Sequence, residues 1–318
     1  MVFPIIPAHT QSFSCGNFRC NDEGIFAFGH AGSLIGSVSM SNLVSNEGIV
    51  ASDVTGVGTA RHYLAATEFG EDKGIFGFGV ANYTIVSLSN LVSNTGVVAT
   101  DTTGVGTARQ NLAACGYGED KGIIGFGRLP NYNYTSITNL VSNVGAVSSD
   151  VTGVGTARHA LAACEYGGDK GIFGFGHISS SPYRLSMTNK VSNAGVVASD
   201  TTGVGTPRSY PAACGYGGDK GIFGFGSAGG GTAVTNLVSN TGVVASDTAG
   251  AAGTTARHSP EGCEFGGGEA IFAFGEQSSS PYQLSITNLV SNTGVVASDT
   301  AGVSGVQARR FHGGCSFN

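Results

Sequence analysis

The chain repeats itself with a period of about 49 residues, and this period constrains the fold more than any other feature of the sequence. The apolar stretch GIFGFG at residues 171–176 has close counterparts along the whole chain. The copies start at residues 24, 74, 122, 171, 221 and 270, so the steps between them are 50, 48, 49, 50 and 49 residues. A fixed step of this size is typical of repeat architectures, in which each unit is one small supersecondary structure.

One unit contains four segments that we interpret as short β-strands, named a to d in chain order. In the fourth unit, segment a spans residues 159–166, b spans 170–176, c spans 184–191 and d spans 196–200. Turns rich in Gly and Asn separate the segments, and both residue types tolerate the positive φ of tight turns. No segment has the helical period of 3.6 residues. The unit therefore predicts a four-stranded antiparallel sheet.

Segment b alternates large and small residues. As a strand, it places Phe173 and Phe175 on one face and leaves Gly174 and Gly176 on the other. Six sheets around an axis, each with its Phe face on the Gly face of its neighbour, make a six-bladed β-propeller. We predict this all-β fold for residues 1–318 as a single domain. The repeats begin near residues 12, 61, 109, 158, 208 and 257.

The two ends of the chain bear on how such a ring closes. Residues 309–318 align with segment a, whereas the stretch around Ser14 matches it only weakly. We predict that residues 309–318 supply strand a of the first blade and close the ring. Pairing of this segment with another subunit is the alternative that the sequence leaves open.

The motif R-x-x-x-A-A-C-x-Y-G-G-D-K-x-I-F-x-F-G, read from Arg158, resembles kelch repeats. It differs from them in having one glycine after strand b, Gly176, and in the absence of Trp from the chain. The resemblance covers nearly all of residues 12–318 and implies a propeller. The near-identity of the units, with their LVSNTGVVA tracts, is also similar to repeats of phage and environmental viral proteins.

The composition is apolar and weakly charged, with 41% hydrophobic residues, 11% charged residues and a formal net charge of −6. This balance is typical of a folded chain rather than a disordered one. Without a basic field we expect no nucleic-acid binding. No apolar run approaches the roughly 18 residues of a membrane span. The N-terminus has no positively charged region, so we also expect no signal peptide.

Five cysteines occupy one position of strand a: Cys115, Cys164, Cys214, Cys263 and Cys315. Neighbouring sheets pack about 10 Å apart, whereas a disulfide needs Cα atoms closer than about 7 Å. We therefore expect these cysteines to pack as small buried hydrophobes rather than to bond with one another. Cys15 and Cys20 break the pattern, and a bond from one of them to Cys315 stays open.

One arginine per unit stands at the start of strand a: Arg61, Arg109, Arg158, Arg208, Arg257 and Arg309. Strand a is the innermost strand of a blade, so the six side chains are candidates for the rim of the central channel, where they would attract an anion. The alternative is that each arginine hydrogen-bonds carbonyl groups of the d-to-a connection and ties neighbouring blades together. Its regular repetition favours this scaffold role.

Nothing in the sequence points to catalysis. One aspartate recurs per unit and is interpreted as a turn residue: Asp53, Asp101, Asp150, Asp200, Asp247 and Asp299. An active site needs a unique cluster of acid, base or nucleophile. The GVGTAR segments lack the third glycine and the helix of a phosphate loop, and the cysteines lack zinc-site spacing. We predict no enzyme, no catalytic residue, no metal site and no cofactor.

The b-to-c loops differ from unit to unit while the scaffold stays constant. Exposed loops on a rigid frame commonly carry binding, and Tyr with Ser, Gly and Asn suits adaptable recognition. By geometry, the b-to-c loops and the d-to-a connections share one end of the sheets. The candidate binding residues at this end are Tyr83, Arg128, Tyr132, Tyr134, His177, Tyr183 and Tyr282.

These features favour a non-enzymatic structural or adhesive protein of a virion or another extracellular assembly. Its expected partners are other structural proteins or a cell-surface receptor or glycan, and a homo-oligomer is compatible with the sequence. One alternative is a cytoplasmic kelch-type scaffold for protein–protein interaction. Another is a lectin with one glycan site per blade, against which the differing loops count.

Overall fold

The computed structural model describes residues 22–317, and every regular element in that range is a β-strand. The strands form six three-stranded antiparallel sheets and one two-stranded hairpin. Over the same residues, no helix is long and apolar enough to cross a membrane. The predicted all-β class is therefore confirmed for this part of the chain.

Each three-stranded sheet has its b-strand in the middle. The a-strands are β3 (Ala65–Phe69), β8 (Ala113–Tyr117), β11 (Ala162–Tyr166), β14 (Ala212–Tyr216), β17 (Glu261–Phe265) and β20 (Gly313–Phe317). The b-strands are β1 (Glu23–Ala27), β4 (Lys73–Gly77), β9 (Lys121–Gly125), β12 (Lys170–Gly174), β15 (Lys220–Gly224) and β18 (Glu269–Ala273). The c-strands are β2 (Ser41–Val44), β7 (Ser89–Val92), β10 (Thr138–Val141), β13 (Thr188–Val191), β16 (Thr235–Val238) and β19 (Thr287–Val290). The hairpin of β5 (Val80–Ala81) and β6 (Thr84–Ile85) lies in the second b-to-c loop.

We number the sheets 1 to 6 by their b-strands in chain order. Sheet 1 joins the two ends of the described chain, because β20 pairs with β1 and β1 pairs with β2. Phe317 lies opposite Glu23, and Gly313 lies opposite Ala27. The prediction that the C-terminal segment supplies strand a of the first sheet is confirmed, and the pairing is within one chain. The other a-like segment, around Ser14, lies outside the described residues.

The prediction of four-stranded sheets is wrong, because segment d does not form a continuous strand. In sheet 4, segment d meets β13 through two isolated bridges, Val191 with Val197 and Thr188 with Thr201. Between them, the side-chain amide of Asn189 donates to the carbonyl of Ala198 at 3.0 Å and to Asp200 at 2.9 Å. This side chain occupies the position of a ladder hydrogen bond, so the strand is interrupted.

Successive sheets pack a bulky residue on a bare one, although the pairing of residues differs from the prediction. A Cβ at Gly174 would lie 2.7 Å from Cζ of Phe223 in sheet 5, and a Cβ at Gly125 would lie 3.0 Å from Cζ of Phe173. In sheets 3, 4 and 5, the b-strand therefore meets the phenyl ring of the next sheet with a glycine. Phe175 does not share a face with Phe173. It follows the end of β12 with a φ of 63°, which turns its ring toward sheet 5.

Backbone hydrogen bonds also join each sheet to the next. The amide of the glycine after each b-strand donates to the carbonyl of the repeated arginine before the following a-strand. The pairs are Gly29 to Arg61, Gly79 to Arg109, Gly127 to Arg158, Gly176 to Arg208, Gly226 to Arg257 and Gly275 to Arg309, all at 2.9–3.0 Å. The last pair joins sheet 6 to sheet 1. The a-strands of successive sheets are in contact as well, including β17 with β20 and β20 with β3.

Candidate ligand-binding face

The b-to-c loops and the repeated arginines lie at the same end of the sheets. The first residue after the loop-entry glycine bridges the residue after the repeated arginine, as His177 does with His159 and Arg128 does with Gln110. This arrangement agrees with the expectation that b-to-c and d-to-a segments share one end. We call this end the loop face.

Four of the five tyrosines predicted for binding project from the loop face. Tyr83 is fully exposed, and the exposed fractions of Tyr132, Tyr183 and Tyr282 are 73%, 52% and 56%. Tyr134 is half-buried instead and stacks on the His159 ring, with centroids 4.4 Å apart. The loops thus present aromatic rings to solvent in sheets 2, 3, 4 and 6.

The loops of sheets 3 and 4 bring several predicted residues together. We call the group of Arg128, Tyr132, Tyr134, His159, His177, Tyr183 and Arg184 the sheet 3–4 cluster. Arg128 lies over the Tyr132 ring at 5.0 Å. His159 Nε2 is 3.3 Å from His177 Nδ1, and Tyr183 stacks on His177 with centroids 6.1 Å apart. The rings of Tyr134, His159, His177 and Tyr183 contact one another in succession. Backbone bridges join Arg128 to Tyr134 and Arg184 to His177.

A second polar group connects sheets 6, 1 and 2. Arg310 donates to Glu276, and His258 Nε2 lies 3.6 Å from the same carboxylate. The rings of His30 and His62 have centroids 5.2 Å apart, and His62 Nδ1 is 2.8 Å from the Ser37 hydroxyl. Here the arginine is neutralised by an acid, in contrast to the sheet 3–4 cluster.

Three aromatic rings meet between these two groups. They belong to Tyr63, Tyr210 and Phe311, each two residues after a repeated arginine. The Tyr63 and Phe311 centroids are 4.1 Å apart, and those of Tyr210 and Phe311 are 5.5 Å apart. Backbone amides at this position bond in succession, from Tyr63 to Phe311, Asn111 to Tyr63, Ala160 to Asn111, Tyr210 to Ala160 and Ser259 to Tyr210.

Two small cavities lie among the a-strands. The three rings line one of about 30 Å³ together with His312 and Glu261. Residues of all six a-strands line the other, of about 60 Å³. His312 is fully buried, and neither ring nitrogen has a hydrogen-bond partner among the described residues. Burial, with Arg309 and Arg257 nearby, holds the pKa of His312 well below its usual value. Burial alone raises the pKa of Glu261 to about 8.

The histidines of the loop face are held neutral at pH 7. Burial, His177 and Arg128 lower the pKa of His159 to about 3. Burial, His30 and Arg310 lower the pKa of His62 to about 4. The pKa values of His30, His177 and His258 are lowered too, mainly by burial. Positive charge at this end therefore comes from arginine and not from imidazolium.

The six repeated arginines are not an exposed channel rim, because each is fully buried. In Arg158, Nε donates to the carbonyl of Phe175 at 2.8 Å and Nη2 donates to Asn189 at 2.7 Å. The hydrogen bond from Nη2 to the asparagine recurs at Arg109, Arg208 and Arg257. Its guanidinium lies over the Phe126 ring of the preceding sheet at 4.4 Å. The corresponding pairs are Arg61 on Phe28, Arg109 on Phe78, Arg208 on Phe175, Arg257 on Phe225 and Arg309 on Phe274. These contacts match the alternative interpretation, in which the arginines tie neighbouring sheets.

The repeated aspartates complete the same scaffold. Asp200 accepts hydrogen bonds from Asn189 at 2.9 Å and from the Thr156 hydroxyl at 2.6 Å, and Arg158 lies 3.9 Å away. Burial opposes ionisation of Asp200, but these hydrogen bonds together outweigh it and lower the pKa. Burial also lowers the pKa of Arg158 to about 10, so the guanidinium stays charged at neutral pH. Asp200 therefore anchors the d-to-a connection.

The five repeated cysteines are buried free thiols. A Cβ at Gly171 would lie 2.5 Å from Sγ of Cys115, so each thiol occupies the bare surface of a glycine on the next sheet. Burial raises the pKa of these thiols. The expected packing role is confirmed, while Cys15 and Cys20 lie outside the described residues.

Between residues 22 and 317, no three His, Cys, Asp or Glu side chains come close enough to hold a metal ion. Comparison of the sequence with protein-family models and with curated proteins gives no match.

Sequence reasoning missed His159, Arg184, Tyr63, Tyr210 and Phe311 as parts of the loop face. The signal was present in the chain. Tyr63, Tyr210 and Phe311 interrupt a position that is Asn, Ala or Ser in the other units. A scaffold position that gains an aromatic residue in only some repeats is a usable marker of a specialised end of a repeat protein.

Proposed function

We propose that the six sheets close into a six-bladed β-propeller. Three observations support closure: the glycine-to-arginine hydrogen bonds run from sheet 1 through sheet 6 and back to sheet 1, β20 pairs with β1, and all six a-strands line one cavity. Small-angle X-ray scattering tests this directly. A closed domain of 318 residues has a radius of gyration of roughly 20 Å, whereas an open stack of sheets gives a clearly larger value.

We further propose that this propeller is a non-enzymatic structural or adhesive module of a virion or another extracellular assembly, and that it binds its partner or receptor through the loop face. One observation carries this proposal. A buried arginine and a buried asparagine recur in every sheet together with an aspartate, whereas the loops above them differ and expose Tyr83, Tyr132, Tyr183 and Tyr282. A constant frame with unique aromatic loops is typical of a binding surface for one partner.

The first experiment asks where the protein resides. Particles purified from the source of the sequence should contain the chain in a fixed ratio to their other proteins, as quantified by mass spectrometry. Its absence from purified particles would contradict the virion assignment. Capture of a single cytosolic partner by the loop face would instead favour the cytoplasmic scaffold.

A second experiment tests the surface. Tyr132→Ala combined with Tyr183→Ala should weaken attachment of the purified chain to its partner or receptor, because each ring lies on the loop face. Val97→Ala combined with Val196→Ala is the matched control, since both valines are 64% exposed at the opposite end of their sheets. Equal loss of attachment in both double variants would contradict the choice of face.

A further inference from the structure

We infer that the sheet 3–4 cluster binds the carboxylate of an acidic sugar, with Arg128 and Arg184 as the recognising cations and the neighbouring tyrosines as stacking surfaces. The inference deepens the proposed function, on which it rests, by naming the chemical class of the receptor. It concerns one site made by two adjacent loops, and not one site in each blade.

Arg128 and Arg184 have no acidic partner among the described residues. Within residues 22–317, no carboxylate lies within 4 Å of either guanidinium, whereas Arg158, Arg309 and Arg310 each face one. The Nε atom of Arg184 is also buried without a hydrogen-bond acceptor. The net charge of the chain is −6, so two cations without a carboxylate partner in adjacent loops mark a local positive site.

Arg128 is also held in place before any ligand arrives. With the Gln110 amide turned so that its oxygen faces Arg128, Nε and Nη2 donate to that oxygen at 2.9 and 2.6 Å. The Tyr132 ring supports the guanidinium at 5.0 Å. A guanidinium fixed by these two contacts keeps further N–H donors for a carboxylate, which it recognises with a planar, two-pronged geometry.

The field of the two arginines reaches the centre of the cluster. Burial is the largest cause of the low pKa values of His159 and His177. Arg128 lowers the pKa of His159 further, and Arg184 lowers that of His177 further. Both imidazoles are therefore neutral and offer polar nitrogen atoms without adding charge. An anion, rather than a metal cation, suits a site with this sign of potential.

The aromatic rings point to a sugar as the carrier of the anion. Tyr132, which lies against Arg128, is 73% exposed, and Tyr183, which stacks on His177, is 52% exposed. An apolar ring face with few hydrogen-bonding neighbours stacks well on the carbon face of a pyranose, while the polar groups beside it fix orientation. A polyanion such as nucleic acid needs many phosphate contacts, and two arginines do not provide them.

The test uses an array of oligosaccharides that end in glucuronate or N-acetylneuraminate, each printed beside its methyl ester, and probed with the full chain. We expect the acids to bind and the esters to lose about tenfold or more in affinity, because esterification removes the charge-assisted hydrogen bonds. Arg128→Gln and Arg184→Gln should each cause a similar loss. Lys190→Gln, which removes one positive charge on β13 away from the loop face, should leave binding unchanged.

Equal binding of acids and esters, or binding unaffected by Arg128→Gln and Arg184→Gln, would overturn the inference. Binding of an acidic peptide and of no sugar would overturn it as well. A different result separates the two ideas. If no acidic sugar on the array binds, but the Tyr132→Ala/Tyr183→Ala variant still loses receptor attachment, the acidic-sugar inference fails and the proposed function stands. If attachment is also insensitive to that variant, both fail.

Discussion

Arg158 and Arg128 lie in two regions of the molecule, the interior of sheet 4 and the loop of sheet 3, and the same residue type has a different role in each. Each guanidinium rests on an aromatic ring, at 4.4 Å for Phe126 and 5.0 Å for Tyr132. Arg158 is fully buried beside Asn189, with the exposed Asp200 3.9 Å away, and the same three residue types recur in the other sheets. Arg128 is half-buried, has no carboxylate neighbour among the described residues, and occurs in one loop. The repeated arginine is thus part of the scaffold, whereas the arginine that occurs once is the one that we propose for recognition.

Among the variants that test this contrast, Arg158→Met should have the largest effect on stability. We expect the free energy of unfolding to fall by roughly 3 to 5 kcal/mol, because the substitution leaves two buried acceptors, Asn189 Oδ1 and the carbonyl of Phe175, without their charged donor. Urea denaturation followed by fluorescence or circular dichroism measures the loss. Arg128→Met is the matched control and should cost only about 1 kcal/mol, because it removes the hydrogen bonds to Gln110 from a half-buried position. Similar losses in the two variants would remove the distinction between the regions.

The packing between sheets gives the next largest effect. Gly174→Ala should destabilise the protein by about 1 to 3 kcal/mol, since the new methyl group would lie 2.7 Å from Phe223 Cζ. Gly230→Ala serves as the control, because a Cβ there meets nothing within 4 Å. A Gly174→Ala variant with the melting temperature of the parent would mean that the sheets separate easily.

His312 allows a test in the opposite direction. Leu64, Leu112 and Leu161 occupy the equivalent position in sheets 2, 3 and 4, so His312→Leu should stabilise the protein by about 1 to 2 kcal/mol through removal of an unpaired buried polar ring. The gain should increase on acidification. Below pH 6.5 His312 is protonated in the unfolded chain but stays neutral in the folded protein, because burial lowers its pKa. The unfolding free energy of the parent therefore falls by up to about 2 kcal/mol between pH 7 and pH 5 because of this residue.

Urea titrations of parent and variant at both pH values measure this difference. The low pKa values of His62 and His159 also destabilise the protein on acidification, by the same amount in parent and variant. The difference in unfolding free energy between parent and variant therefore reports on His312 alone. A parent and variant with parallel pH profiles would contradict the assignment of a buried, neutral His312.

The smallest expected effect on stability belongs to the loop face. Tyr132→Ala combined with Tyr183→Ala should shift the free energy of unfolding by less than about 1 kcal/mol, because both rings are more than half exposed. Thermal denaturation of the double variant beside the parent checks this. A loss of several kcal/mol would assign these tyrosines to architecture and weaken the case for recognition.

The repeat period and residue alternation were enough to predict the all-β class, the sheet-on-sheet packing of Phe against Gly and the position of the C-terminal strand. The alternation rule failed at Phe175, because a positive φ is a property of the backbone that the pattern FGFG does not reveal. It failed for segment d because a side-chain amide, that of Asn189, replaced backbone pairing. The candidate site was predicted in part, since exposed loop tyrosines follow from their position, whereas the contacts of His159 depend on which loops become neighbours.

Sheet 1 contains both the first described strand, β1, and the last one, β20, because these two strands pair. A chain that stops before residue 313 lacks β20, so one edge of β1 loses the partner that it has among the described residues. An unpaired strand edge is a template for pairing with another chain. The last strand therefore protects the first one from association between molecules.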